Sequence, residues 1–178
     1  MHRLDAGSAE CFVFTFKEGL LSAVAHDLKI RVKSFHIEVD EEARRVEATF
    51  DAASLEVVSA MSGGSESRGS LSPEQKREIE GNIRGDVLDS DRHPEIHFRS
   101  TAVEERGDGF RIRGELSLHG KSRSMVVELT REGDRYVAKA RIHQPDFGIR
   151  PYSALFGTLK VKADVTVEVL VPWPRHDR

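Results

Sequence analysis

The chain has 178 residues, 38% hydrophobic and 32% charged, with 27 Lys+Arg against 30 Asp+Glu and a formal net charge of −3. At about 150 residues per domain this is one domain, and the charge balance leaves no basic excess for nucleic acid. No apolar run reaches the roughly 18 residues of a membrane-spanning helix, and the lone Cys11 excludes an intrachain disulfide and any multi-cysteine metal site.

In chain order, Met1–Glu10 (MHRLDAGSAE) has no apolar core of a signal peptide. The expected location is therefore cytoplasmic, or periplasmic or secreted if a signal peptide has been removed. Phe12, Phe14 and Phe16 then alternate with Val13, Thr15 and Lys17, the period of two that marks a strand with one apolar face. A short helix is expected in Leu20–Ala25. His26, Leu28, Ile30 and Val32 repeat the alternation, and its parity flips after Lys33, where Phe35, Ile37 and Val39 take the apolar side. Val46, Ala48 and Phe50 follow a polar turn at Asp40–Arg44, and Ser54–Val58 forms a further strand.

Ser59–Ser70 (SAMSGGSESRGS) reads as a flexible polar loop. Ser72-Pro73-Glu74-Gln75 then supplies an N-cap, a proline at the first helical position and a glutamine completing a capping box, so a helix is expected from Pro73 to Gly85. Strands resume with Ile96, Phe98, Ser100 and Ala102, then Phe110, Ile112, Gly114, Leu116 and Leu118. Met125–Thr130 and the run through Tyr136, Ala138, Ala140 and Ile142 come next. Gly and Asp cluster at the turns between them. Last, Leu159, Val161, Ala163, Val165, Val167 and Val169 alternate with polar residues, as one strand about 40 Å long at about 3.3 Å per residue.

Consecutive one-faced strands joined by tight turns favour an antiparallel meander closed into a barrel, which removes its edges. The expected architecture is mainly all-β: an up-and-down barrel of about eight strands with one or two short helices. It forms a single domain over residues 1–178, with its core at about 11–171 and a helical insertion at about 59–88. The inward parity mixes small residues (Ala48, Ser100, Ala102, Gly114, Ala138, Ala140) with bulky ones. Such a barrel either encloses a slender cavity or fills itself by interdigitation.

Four stretches resemble the YceI-like family of polyisoprenoid-binding, lipocalin-like proteins. They are the strand FVFTF followed by His26, the step Phe50-Asp51-Ala52-Ala53-Ser54-Leu55, the strand His93-Pro94-Glu95-Ile96-His97-Phe98-Arg99-Ser100, and Gly114–Gly120 together with Asp146-Phe147-Gly148-Ile149. The likeness runs over roughly Cys11–Val171. It implies an apolar tunnel for a long isoprenoid, quinone-like or fatty-acyl molecule, no cofactor beyond such a lipid, and a homodimer. With the strand parity, it gives an expected ligand wall of Phe14, Phe16, His26, Leu28, Ile30, Phe50, Ile96, Phe98, Leu116, Leu118, Phe147 and Phe156.

His26 shares the parity of Leu28 and Ile30, so it reads as a head-group contact, as a structural histidine, or, in an enzyme acting on a tunnel-bound lipid, as an acid/base. A filled barrel acting as an interaction module is the third reading. His93 and His97 lie on the polar parity of their strand and read as surface histidines rather than zinc ligands completed by His119 or His143. Glycine-rich phosphate loops and nucleophile elbows are absent from the sequence. Binding is therefore favoured over catalysis.

Overall fold

Alternating apolar and charged side chains produce strands β1 (His2–Asp5), β2 (Glu10–Thr15), β3 (Lys17–Glu18), β4 (Asp27–Val32), β5 (Phe35–Asp40), β6 (Arg45–Asp51), β7 (Leu55–Ser62) and β8 (Ser65–Ser67). Helix α1 (Pro73–Asn82) follows. The chain continues with β9 (Glu95–Arg106), β10 (Gly109–Leu118), β11 (Lys121–Glu132), β12 (Arg135–His143), β13 (Ser153–Ala154), β14 (Leu159–Val161) and β15 (Asp164–Pro172). This computed structural model describes residues 1–19, 25–154 and 157–172. The short helix expected at Leu20–Ala25 falls, but for Ala25, outside the described residues.

Twelve strands form one antiparallel, strongly curled half-barrel sheet in the order β1-β5-β6-β9-β10-β11-β12-β15-β2-β4-β7-β8, and β13-β14-β3 form a small second sheet. This corrects the closed barrel of about eight strands. Two long stretches, 27–40 and 45–62, are each bent into two strands that take different neighbours. The parity flip after Lys33 is the first of these bends. Across them Lys33 N donates to Ser54 O and Asp51 N to Ser34 O, both at 3.0 Å, so the two halves of the sheet stay tied where the ladders part.

The single 40 Å strand at the C-terminus is also corrected. It breaks at Lys162–Ala163 into β14, which belongs to the small sheet, and β15, which belongs to the large one. The polar loop at 59–70 is in part a hairpin: β7 runs to Ser62, turns at Gly63-Gly64 and pairs back through β8. A bulge puts Gly114 opposite Ser100 but Arg113 opposite Ala102, so Ala102 leaves the inward parity and Val103 takes it.

The capping box at α1 is as expected. Ser72 Oγ accepts from Gln75 N (3.1 Å) and Ser72 N donates to Gln75 Oε1 (2.8 Å). The helix ends at Asn82 rather than Gly85, passing into a wider π-type turn over Ile83–Val87. α1 lies along the outer edge of β7. There Glu80 accepts the Val57 N–H (3.0 Å) and Lys76 donates to Val58 O (2.9 Å), side chains standing in for the missing ladder partner. Ile79, Ile83 and Val87 pack from this side against the core.

Candidate functional site

Residues directly opposite in an antiparallel pair share a face, so the register defines the inner wall. Val13 faces Ile30 on β4 and Val167 on β15, and Cys11 faces Val169; all lie against the core. Carried across the next ladders, Val169 aligns with Ala138 and Leu129, and Val167 with Ala140. Gly114 aligns with Met125, and Ile112 with Val127.

The inner wall is unevenly covered. On β4 and β7 the inward residues Leu28, Ile30, Val32, Leu55, Val57 and Ala60 are all buried, and on β5 Phe35 and Ile37 are buried and Val39 partly so. On β11, β12 and β15 the inward residues Met125, Val127, Leu129, Ala138, Ala140, Ile142, Val167, Val169 and Val171 are only partly buried, and Val165 at the start of β15 is buried. A Val or Leu left half-covered forgoes about 1 kcal/mol of the 1.5–3 that full burial gives. This second stretch is a trough with an aliphatic floor and no charged side chain along its middle. Between the two regions, Gly114 closes the space. A Cβ there would overlap the Phe98 ring and stand 2.5 Å from Arg99 O, so small and large residues interdigitate at this point rather than leaving a void.

The sequence-predicted wall divides accordingly. Leu28, Ile30, Phe98, Leu116, Leu118 and Phe147 are buried in the core, with Phe50 and Ile96 packed against it. Phe14 and Phe16 are corrected: the inward parity of β2 belongs to Cys11 and Val13, not to the phenylalanines. Phe14 stands opposite Thr166 and Lys29 on the outer face, and Phe16, beyond the end of β2, is 37% exposed. His26 is corrected too. The strand begins only at Asp27, whose carboxylate accepts Lys17 N (2.8 Å), so parity does not extend to His26, which is exposed. Phe156 lies outside the described residues. The wall expected from the sequence contains none of the aliphatic floor on β11, β12 and β15, although alternation in those segments points to it.

The outer face carries its own groove of about 700 Å³, bordered by Phe12, Phe14, Lys29, Arg31, Glu66 and Glu168 among others. Lys29 Nζ sits 4.3 Å from the Phe12 ring centre and Arg31 Cζ 5.2 Å from it, a cation–π cover that buries the ring. Lys29 also pairs with Glu66 (3.2 Å) and Arg31 with Glu10 (3.3 Å). The hydrogen bond and charge of Lys29 hold the Glu66 carboxyl below its usual range. These charges answer one another, which leaves the inner trough as the better candidate for an apolar ligand.

The trough has a defined break in its wall. β11 and β12 are paired only from Glu128↔Lys139 to Glu132↔Arg135. Beyond that, β11 continues to Lys121 on β10 alone, and β12 continues to His143 on β15 alone. The turn Gln144–Phe147 spans the far end of this break. Gln144 N donates to Ala163 O (2.9 Å), and His119 Nδ1 donates to Phe147 O (3.2 Å). The His93 and His119 rings lie 4.7 Å apart, tilted by 55°, which brings together two of the histidines weighed as zinc ligands from the sequence. Among the described residues no three His, Cys, Asp or Glu side chains converge.

Comparison with known proteins agrees with this architecture. The YceI-like domain profile matches residues 5–172. Burkholderia cenocepacia BcnA superposes with a TM-score of 0.64 at 15% identity, covering 94% of this chain and 98% of that one. The Campylobacter jejuni YceI protein gives 0.60 at 13% identity, covering 83% and 84%. A polyisoprenoid binding domain from Saccharophagus degradans, implicated in plant cell wall breakdown, gives 0.53 at 11% identity, covering 94% and 99%. No curated protein matches.

Proposed function

Since the chain belongs to the YceI-like domain family, we propose that it binds and carries a long-chain amphiphilic lipid, a polyisoprenoid, quinone-like or fatty-acyl molecule, along the inner wall of the half-barrel. One observation carries this reading: most of the aliphatic floor of β11, β12 and β15 is left partly uncovered, while the inward faces of β4 and β7 are fully buried. The polyisoprenoid binding described for the Saccharophagus degradans domain supports it, as a property of a protein with a similar fold.

Chain burial is worth about 0.8 kcal/mol per methylene, so a trough without polar groups along its floor can retain a lipid through its tail alone. Ordering the chain offsets much of that gain. Selectivity then rests on trough length and on whatever meets the head at its end.

The test is native mass spectrometry of the purified protein before and after organic extraction, followed by reloading with a polyisoprenol, a quinone and a fatty acid. A long-chain adduct that is removed by extraction and restored by at least one probe is the expected result. Absence of any adduct together with failure of all three probes overturns the proposal. Ala140→Phe, which adds a ring above the floor at a partly buried inward position, should abolish reloading in a protein that still unfolds cooperatively.

A further inference from the structure

Two cations stand at the broken end of the trough. Lys121 is opposite Leu118 and Arg123 opposite Leu116, both buried core residues, so the register puts both cations on the inner face. Neither forms an ion pair among the described residues; the hydrogen bond made by the Arg123 guanidinium is to the neighbouring Ser122 O (2.8 Å). Their neighbours are committed elsewhere: Arg111 to Glu128 (2.7 Å), Arg113 to Glu104, Arg141 to Asp164 (3.6 Å) and Lys139 to Glu132 (3.3 Å).

Lys121 reaches across the break. A Cβ at Gly148, where φ is +69°, would lie 3.2 Å from its Cε and Nζ, so the ammonium rests on the segment that follows the Gln144–Phe147 turn. Along β11 the same inner face continues as Met125, Val127 and Leu129, so at about 3.3 Å per residue the apolar stretch from Arg123 to Leu129 is about 20 Å long. At its other end Arg131 also faces inward, but its Nε donates to Gly133 O (3.4 Å) and it has further engagements.

A strip of aliphatic side chains ending in two cations that have no ion pair among the described residues, beside strand edges outside the described ladders, is complementary to an anion on an apolar tail. We propose that the break between β11 and β12 seats the head of the bound amphiphile, and that Lys121 and Arg123 hold this head as an anion, a carboxylate or a phosphate. The assignment rests on the lipid-carrier reading and adds to it the class and position of the head group.

The experiment compares probes with one tail and different heads, palmitate, hexadecyl phosphate and hexadecanol, by fluorescent-probe displacement on the full chain. The wild type should prefer an anionic head over the alcohol by about tenfold, and the preference should shrink as salt rises. The anion bound more tightly names the head. In K121A/R123A the preference should vanish while hexadecanol binding stays unchanged. K121E/R123E should instead favour hexadecyltrimethylammonium over palmitate. Equal binding of all three heads by the wild type, or an anion preference that survives both variants, overturns the head-group site and leaves the carrier reading standing. Failure of every probe to bind overturns this assignment, and the carrier reading is then decided by the polyisoprenol and quinone reloading.

Discussion

The inner wall is one continuous surface treated in two ways. Over β4 and β7 the inward apolar side chains are sealed, with α1 and the turn after it bringing Ile79 and Ile83 against the core from the edge. Over β11, β12 and β15 the same alternation yields side chains that stay partly uncovered. Local sequence is not the cause, since Val32 and Val169 are the same residue type in the same kind of strand. What differs is how completely the rest of the fold covers the strand. The fold concentrates its burial in one region and leaves its apolar wall incomplete in the other.

Ile30→Ala tests the sealed region most severely. The side chain is 2% exposed, and its truncation should cost about 3 kcal/mol in urea unfolding. Val169→Ala, on the uncovered wall, should cost less than about 1 kcal/mol. Equal losses would dissolve the distinction between the regions. Gly114→Ala should cost about 2 kcal/mol, because the new methyl meets both the Phe98 ring and the Arg99 carbonyl. Adding Phe98→Leu should restore only part, since the carbonyl contact belongs to the backbone. If Gly114→Ala is neutral, the interdigitation between the two regions is looser than described.

Cys11 offers a subtler probe, because it lies on β2 between the sealed β4 and the uncovered β15, 1% exposed. Burial pushes its thiol up to about 12 from 9.0. With the folded value raised, its contribution to stability is complete below the unfolded value and declines as pH rises from about 9 toward 12. Native protein should therefore react with thiol reagents only through opening of this seam, and Cys11→Ala should flatten the alkaline loss of stability. Rapid labelling at neutral pH would show the seam to be open. The smallest effect is expected at Lys29–Glu66. The lowered Glu66 carboxyl supports the fold above its unfolded pKa, and that support is lost as pH falls through the lower folded value. Glu66→Gln should slightly reduce acid sensitivity and leave lipid binding untouched.

Much of this was legible in the sequence. The alternation in β10 gave the correct inward set from Phe110 to Leu118, the flip after Lys33 marked a real bend, and Ser72–Gln75 made its capping box. The errors share a physical origin. Period two separates two faces but does not say which is inner; that depends on partner strands far along the chain. Phe12, the one buried member of the FVFTF triplet, is covered on the outer face by cations from β4, which a local reading of apolar residues does not reveal. A single-residue bulge moved Ala102 to the other face, and a break of two residues divided the C-terminal strand between sheets. The trough was missed for a related reason: half-burial reflects absent covering atoms, and sequence records only the atoms that are there.

The pairing of β2 with β15 bears on how the protein is made. Val13 must find Val167 across almost the whole length of the chain. During synthesis β2 therefore waits with one edge unpaired until β15 emerges. Contacts so distant in sequence pay their loop-closure entropy late, which places folding among the slower β-rich topologies. The uncovered wall includes β15, so that wall is incomplete until β15 has emerged.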